Sequence, residues 1–299
     1  MRRAAARSLS LSKGASRPGK LAAVLIASLA ITACTPSAPQ SADLPAGVSV
    51  ELIQLRSDVV DRAAQVRVQN AGEDDLVITG LEVVDPRFET PIVRDNGARV
   101  SSGRTLDMRI ALPPVACDAD AAADGATIEL EYEVDGRATI AEASLPDSLA
   151  FIPLLHEKEC LRERLAGVAV LSWSGFEPSD APAPADVTLE IDPSGGGGSA
   201  RVETVETTNL LMFDRAGAAP FVVGAEVEGS EVAQRVRVPL VPLRCDPHAV
   251  MEDKRGTIFD VTVSVEGVSG VVEVAAPPAV KGEILAWVAA WCGFGATVP

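Results

Sequence analysis

The chain contains two histidines, His156 and His248, so any acid–base or nucleophilic chemistry based on imidazole must use one of them. A Ser-His-Asp or Cys-His mechanism places such a histidine beside a nucleophile and an orienting carboxylate. The nucleophile motif Gly-x-Ser-x-Gly does not occur in the sequence. We therefore predict no catalytic residue and no enzymatic activity.

The densest polar cluster follows Cys245 and forms a candidate binding loop. Its members are Asp246, His248, Glu252, Asp253, Lys254 and Arg255. A loop held at its base by a rigid scaffold can present such residues to a partner, because function concentrates on loops of this kind. The competing interpretation, which we favour, is a solvated loop whose charges pair among themselves.

Two other segments superficially resemble ligand-binding motifs. Asp118 to Gly125 is rich in aspartate, but its spacing differs from that of a calcium-binding loop and the closing glutamate is absent. Gly195 to Gly198 lacks the Lys-Ser/Thr that follows a phosphate-binding loop. We therefore predict no metal site and no cofactor.

The N-terminal segment has the order of a secretory signal. Six basic residues precede the apolar run from Leu21 to Ile31, and the small residues Thr32 and Ala33 come before Cys34. The run is shorter than the roughly 20 residues that a membrane-spanning helix needs. Ile31-Thr32-Ala33-Cys34 resembles the lipobox of bacterial lipoproteins. The alternatives are a membrane anchor, or an ordinary signal with an incidental cysteine.

The resemblance to lipoproteins implies that residues 1–33 are removed and that Cys34 carries a thioether-linked diacylglycerol, often with a further amide-linked chain. Two or three acyl chains anchor a protein stably, whereas one is marginal. Residues 34–47 are rich in Pro, Ser and Ala and read as a flexible tether. The expected location is the extracytoplasmic face of the cell membrane, with the lipid as the link to that membrane.

The charge balance limits the classes of molecule that the protein can bind. The formal net charge is −16, and without residues 1–33, which hold six basic and no acidic residues, it becomes −22. Nucleic acids and anionic lipid headgroups both require positive patches on the protein that binds them. We therefore exclude nucleic acid as a partner and expect an envelope protein instead.

The chain contains an internal repeat, and this repeat predicts how four of the cysteines pair in disulfides. Residues 109–118 align with residues 237–246, and residues 125–128 align with residues 255–258. Each copy then has an alternating segment and ends near a second cysteine. An even number of cysteines in an exported chain indicates disulfides, and four allow three pairings. The duplication predicts Cys117–Cys160 and Cys245–Cys292. A zinc site is the alternative, but no Cys-x-x-Cys or clustered His/Cys spacing supports it.

The periodicity predicts a mainly β fold. Alternating apolar residues bounded by Gly, Asn and Asp turns mark half-buried strands, for example at 48–52, 64–70 and 187–191. We expect residues 192–199 to be a flexible hairpin loop. Helical spacing at 280–293, and a Pro-initiated charged segment at 153–164, predict a short helix beside the second cysteine of each copy.

The pattern Val66-x-Val68-x-Asn70-x-Gly72, followed by Leu76-x-Ile78, resembles immunoglobulin-like domains of bacterial exported proteins. We predict two tandem immunoglobulin-like β-sandwiches, repeat 1 at 48–165 and repeat 2 at 166–299. His156 in repeat 1 aligns with Val288 in repeat 2, which favours a packing position over a catalytic one. The three tryptophans are also expected to pack in or against the core.

These features favour a membrane-anchored, extracytoplasmic lipoprotein that acts as a non-enzymatic binding or structural module of the cell envelope. A solute-binding lipoprotein of a transporter is the main alternative, although the chain lacks the βαβ alternation of that class. An envelope hydrolase is the third hypothesis, and the missing nucleophile and metal sets argue against it.

Overall fold

The computed structural model describes residues 43–119, 125–134, 136–213, 219–229, 232–251 and 254–294. The signal segment, Cys34, most of the proposed tether, Glu252 and Asp253 lie outside these ranges. Among the helices in the described ranges, none has the length and apolar character needed to cross a membrane.

Repeat 1 consists of eight strands, a short helix and a long final helix. In chain order these are β1 (Val48–Ile53), α1 (Arg56–Val60), β2 (Ala63–Asn70), β3 (Leu76–Val84), β4 (Ile92–Arg94), β5 (Ala98–Val100), β6 (Arg104–Ala111), β7 (Thr127–Val134), β8 (Arg137–Ser144) and α2 (Phe151–Val168).

Repeat 2 also consists of eight strands, a short helix and a long final helix, but its short helix follows the sixth strand of the repeat and not the first. Its elements are β9 (Ala169–Glu177), β10 (Ala185–Pro193), β11 (Ser199–Val205), β12 (Leu211–Met212), β13 (Phe221–Glu228), β14 (Gln234–Pro242), α3 (Pro247–Met251), β15 (Ile258–Val265), β16 (Val268–Ala275) and α4 (Pro278–Trp291).

The strands of each repeat form two antiparallel sheets that pack face to face. In repeat 1 the orders are β1-β2-β6 and β4-β3-β7-β8, with β5 also paired to β3. In repeat 2 they are β12-β14-β10-β9 and β13-β11-β15-β16. The predicted fold class, mainly β with immunoglobulin-like sandwiches, is therefore confirmed. The inward side chains are mostly Val, Ile and Leu, as expected for strands with one buried face.

The glycine-rich segment after β10 is not a hairpin, and that prediction is wrong. The strand before it pairs with β9 and β14, whereas the strand after it pairs with β13 and β15, so the chain crosses from one sheet to the other. Gly195 donates a backbone hydrogen bond to Gly229 at 2.8 Å. A Cβ atom on Gly196 would lie 2.5 Å from the carbonyl oxygen of Gly167. Glycine is thus required there by close backbone approach.

The two repeats align with a different register from the one that the sequence suggests. Sequence matching pairs Ile128 with Ile258, but Ile128 points into the core while Ile258 is half-buried. Each hairpin, β7–β8 and β15–β16, has a two-residue turn, and alignment on that turn pairs Ile128 with the buried Phe259. Glu129 then corresponds to Asp260, and Glu142 to Glu273.

The final helix of repeat 1 is longer than predicted, because it belongs to both cores. Phe151 and Ile152 pack in the core of repeat 1, whereas Leu161, Leu165 and Val168 pack in the core of repeat 2. The helix ends only where β9 begins, so the proposed boundary at residue 165 falls inside it. Contacts of this kind join Ser41–Pro299 into one compact unit.

Candidate functional site

The position of α2 is set by the segment before it. Leu52 donates a backbone hydrogen bond to Pro146 at 2.8 Å, which ties this segment to β1. The Asp147 carboxylate then accepts a hydrogen bond from the backbone N–H of Ile152 at 2.8 Å. A carboxylate at this place satisfies an N–H that has no partner within the helix. The start of α2 is therefore fixed on repeat 1.

The structure contains both disulfides that the internal repeat predicts. Cys117 is joined to Cys160 with a Cα–Cα distance of 5.3 Å, and Cys245 to Cys292 with 5.2 Å. The first bond attaches the middle of α2 to the segment after β6. The second attaches the end of α4 to the segment after β14. Cys160 is buried, whereas Cys245 is exposed.

A groove of about 670 Å³ lies where α2 packs beside β16, at the junction of the two repeats. We call it the junction groove. Its apolar part includes Leu154, Val268 and Val271, whose exposed fractions are 63%, 42% and 43%. The volume lies within the range of small-molecule and peptide sites, which occur preferentially between domains. The groove has walls from both repeats, so neither repeat forms it alone.

Charged residues at the groove fix the two walls together. Lys158 of α2 and Arg255 both bind Oε1 of Glu273 on β16, at 3.0 Å and 2.8 Å. Burial alone would raise the pKa of Glu273, but the hydrogen bonds from Arg255 and Lys158 outweigh it and hold the pKa below its ordinary value. The paired carboxylate is therefore ionised at neutral pH.

Two further charges of the groove, Glu157 and Arg164, lie on α2 and make no ion pair within the described residues. They are seven residues apart, which is about 10 Å along a helix. Asp260 of β15 also lines the groove without an ion pair to a described residue, so the groove combines exposed apolar side chains with two unpaired carboxylates and one unpaired cation.

His156 occupies a packing position, as its alignment with Val288 predicts. It is 4% exposed, and Val288 is fully buried. Its Nε2 donates a hydrogen bond to the carbonyl oxygen of Ala116 at 3.0 Å, beside the first disulfide. Its Nδ1 is buried without a hydrogen-bond partner. The imidazole therefore links α2 to the segment that carries Cys117.

The candidate binding loop is divided by the structure. Asp246 accepts a hydrogen bond from the backbone N–H of His248 at 3.0 Å, at the start of the short helix α3. Lys254 is exposed, and Arg255 turns to Glu273. Glu252 and Asp253 lie outside the described residues. Of the described members, only Arg255 contacts a residue that lines the junction groove, through its ion pair with Glu273. Sequence reasoning missed the groove because its walls are distant in the chain.

The tryptophans behave as packing elements, whereas residues 120–124 of the aspartate-rich segment lie outside the described residues. Trp173 is 1% exposed and donates to the carbonyl of Val274 at 3.0 Å, and Trp287 is 5% exposed. Trp291 packs against Trp287 with ring centroids 5.3 Å apart. Across the part of the chain that the structure describes, no group of three or more His, Cys, Asp or Glu side chains is arranged to hold a metal ion.

Comparison with known proteins gives structural neighbours alone. No protein-family model and no curated protein matches the chain. Red sea bream transglutaminase is 12% identical over 78% of this chain, with a TM-score of 0.24, and the match spans 32% of the transglutaminase chain.

Two other neighbours have similar values. The CsuC–CsuE chaperone–tip adhesion subunit complex of Acinetobacter baumannii is 10% identical over 77% of this chain and 99% of that one, with a TM-score of 0.21. The calcium-binding domain CBD12 of CALX1.1 is 14% identical over 74% and 79%, also with a TM-score of 0.21. Scores this low carry no argument about activity.

Proposed function

We propose that the chain is a lipoprotein, anchored through a lipid on Cys34 at the extracytoplasmic face of the membrane, that acts as a non-enzymatic binding module of the cell envelope. Its partner is an envelope protein. The observation that carries this proposal is the junction groove, with exposed Leu154, Val268 and Val271 at its apolar floor. The pairing of His156 with a backbone carbonyl, and not with a nucleophile, supports the absence of catalysis.

The charges of the groove define the kind of segment that binds. An apolar side chain covers Val271, and an acidic and a basic side chain about 10 Å apart face Arg164 and Glu157. The two disulfides support an oxidising location, because such bonds persist mainly in exported proteins.

The groove is tested by cross-linking in intact cells followed by capture of the protein. We expect Val271→Asp to reduce the yield of one specific cross-linked envelope protein at least fivefold. Val222→Asp is the matched control, because Val222 is 73% exposed on the opposite edge strand of the same sheet. Equal loss in both variants, or no loss in either, would contradict the assignment of the groove.

The anchor is tested separately. We expect Cys34→Ala to leave the precursor unprocessed and to move the protein out of the membrane fraction. Normal processing and unchanged fractionation of this variant would contradict lipidation, while leaving the groove experiment intact.

A solute-binding role is the second candidate, and the volume of the groove favours it specifically. A metabolite that raises the melting temperature of the wild type, but not of Val271→Asp, would select this role. An unchanged melting temperature across a broad panel would count against it.

A further inference from the structure

The two repeats differ in how one edge strand is covered. In repeat 2 the edge strand β16 is packed by α2, because Leu161 lies where a side chain on Gly270 would otherwise stand. In repeat 1 the equivalent strand is β8, which is also the last strand of its sheet. An uncovered edge presents unpaired backbone groups, and proteins usually protect it with charged side chains, Pro, a bulge or a covering element. The strand β8, RATIAEAS, has the charged residues Arg137 and Glu142 but no Pro and no bulge, and β7 is the only described strand that pairs with it.

Carboxylates line this uncovered part of repeat 1. Glu129 of β7 stands directly opposite Glu142 of β8 on one side and Glu82 of β3 on the other. Like charges directly opposite each other across strands are destabilising. None of the three makes an ion pair with a described residue. Within the part of the chain that the structure describes, no positive group therefore neutralises this row.

Repeat 2 shows what neutralises the equivalent row. Asp260 and Glu273 occupy the positions of Glu129 and Glu142 and are also directly opposite each other. There Lys158, on a helix contributed by the other repeat, binds Glu273 at 3.0 Å. In repeat 2 this arrangement of carboxylates thus receives one cation from α2 and a second from Arg255 of its own repeat, whereas in repeat 1 it receives none from a described residue.

We infer that Ala138, Ile140 and Glu142 of β8, together with Glu129, form a second docking surface, which we call the β8 surface. Its occupant is an amphipathic helix of a partner protein that places a Lys or Arg against Glu142. Thr139 is the equivalent in repeat 1 of Gly270 in repeat 2. The Thr139 side chain therefore occupies the space that Leu161 fills in repeat 2. The partner helix therefore carries a small residue three positions after its basic residue.

The occupant is a partner helix and not α2 of a second copy. That helix is already buried in the cores of its own chain through Ile152, Leu161 and Leu165. The α4 helix cannot replace it, because it ends at Trp291 and the next residue but one, Gly293, has a positive φ of 76°. In α2 the helix continues for two turns past the equivalent cysteine.

The β8 surface is tested with a peptide of known sequence. The probe is a side-chain-stapled helix with the sequence of residues 151–168, in which Cys160 is replaced by Ser and Leu161 by Ala. Its twin carries Lys158→Glu in addition. Binding to the mature chain with Cys34→Ser is measured by fluorescence anisotropy at low and physiological salt.

We expect the Lys158 peptide to bind the wild-type protein saturably and at least tenfold more tightly than its twin. Glu142→Lys should reverse this preference, whereas Glu283→Lys, an exposed change of equal charge on α4, should leave it in place. Absence of saturable binding, equal binding of both peptides, or retention of the preference in Glu142→Lys would overturn the inference. Dimerisation of the mature chain that Glu142→Lys abolishes would identify a second copy as the occupant and would also overturn it.

Discussion

Lys158 and Glu273 form an ion pair across the junction of the two repeats, with the ammonium nitrogen 3.0 Å from the carboxylate oxygen. Arg255 binds the same oxygen from the side of repeat 2 at 2.8 Å. One carboxylate thus receives a cation from each repeat. This ion pair lines the junction groove. At the β8 surface, Glu142 has no equivalent cation among the described residues.

The lowered pKa of Glu273 makes stability depend on pH. A carboxyl whose pKa is lower in the folded than in the unfolded state stabilises the fold above its unfolded pKa, about 4.3 for Glu. This contribution is lost as the pH falls through the folded value. We expect Glu273→Gln to lower the free energy of unfolding by less than about 1 kcal/mol at pH 7, and the difference to shrink below about pH 4. Urea unfolding between pH 7 and pH 3.5 measures it.

Glu163→Gln serves as the control for the pH series, because Glu163 is exposed on α2 and makes no ion pair with a described residue. A difference between wild type and Glu273→Gln that grows as the pH falls would contradict the direction of the pKa shift.

The close contact between α2 and β16 predicts a steric effect at Gly270. A Cβ atom there would lie 2.6 Å from Cδ2 of Leu161, which is itself only 5% exposed. We expect Gly270→Ala to lower the free energy of unfolding by about 1–3 kcal/mol, since overpacking forces a buried neighbour to move. Gly175→Ala on the edge strand β9 is the control, because its Cβ would meet only Thr188 at 3.8 Å. Equal effects of the two substitutions on denaturant midpoints would refute the contact.

The glycine-rich segment that connects β10 to β11 in repeat 2 offers a test with two adjacent residues. A Cβ on Gly196 would lie 2.5 Å from a backbone carbonyl oxygen, whereas a Cβ on Gly197 would have no heavy atom within 4 Å. We expect Gly196→Ala to destabilise the fold by more than about 1 kcal/mol. Gly197→Ala should be neutral or stabilising by about 0.4–1 kcal/mol, because alanine restricts the unfolded chain. Thermal unfolding of the two variants measures both changes in stability. A loss of stability confined to Gly197→Ala would contradict the close packing around Gly196.

The disulfides should differ in how easily they are reduced. Thiol–disulfide exchange requires access to a sulfur atom. Cys245 is exposed, whereas Cys160 lies in the core at 5% exposure. We expect a hydrophilic reductant under native conditions to open Cys245–Cys292 several times faster than Cys117–Cys160. Alkylation at timed intervals with peptide mapping measures both rates, and a link between repeats in the non-reduced map would disprove the pairing.

Several features of the fold were predictable because they depend on local pattern or on duplication. The alternation from Val48 to Leu52 lies in β1, and the aligned cysteines gave the pairing found in the structure. The exchange of His156 for Val288 indicated a buried site on the final helix of each repeat. These inferences need no knowledge of which strands are neighbours.

The errors arose where the partner of an element decides the outcome. Alternation identifies β10 and β11 as strands, but it does not tell whether they share a sheet, so the glycine segment between them looked like a hairpin loop. Matching Ile128 with Ile258 followed residue identity, whereas burial follows the pleat, and a shift of one residue moves a side chain to the other face.

The junction groove depends on contacts across a larger distance in sequence. Leu154 and Val271 carry no signal of their own, because each becomes part of a site only when α2 packs on β16. The sequence predicted the helix as a short local element, and its second half, with Leu161 and Leu165, proved to belong to the next repeat.

The sharing of α2 between two cores also has a mechanical consequence. When two domains are joined by a flexible linker, one domain can move while the other stays still, because the linker absorbs a force applied to either domain. Here a force applied to repeat 2 reaches repeat 1 through the buried side chains of one helix and through the disulfide at its midpoint. We therefore expect the two sandwiches to move together and not as two independently hinged domains.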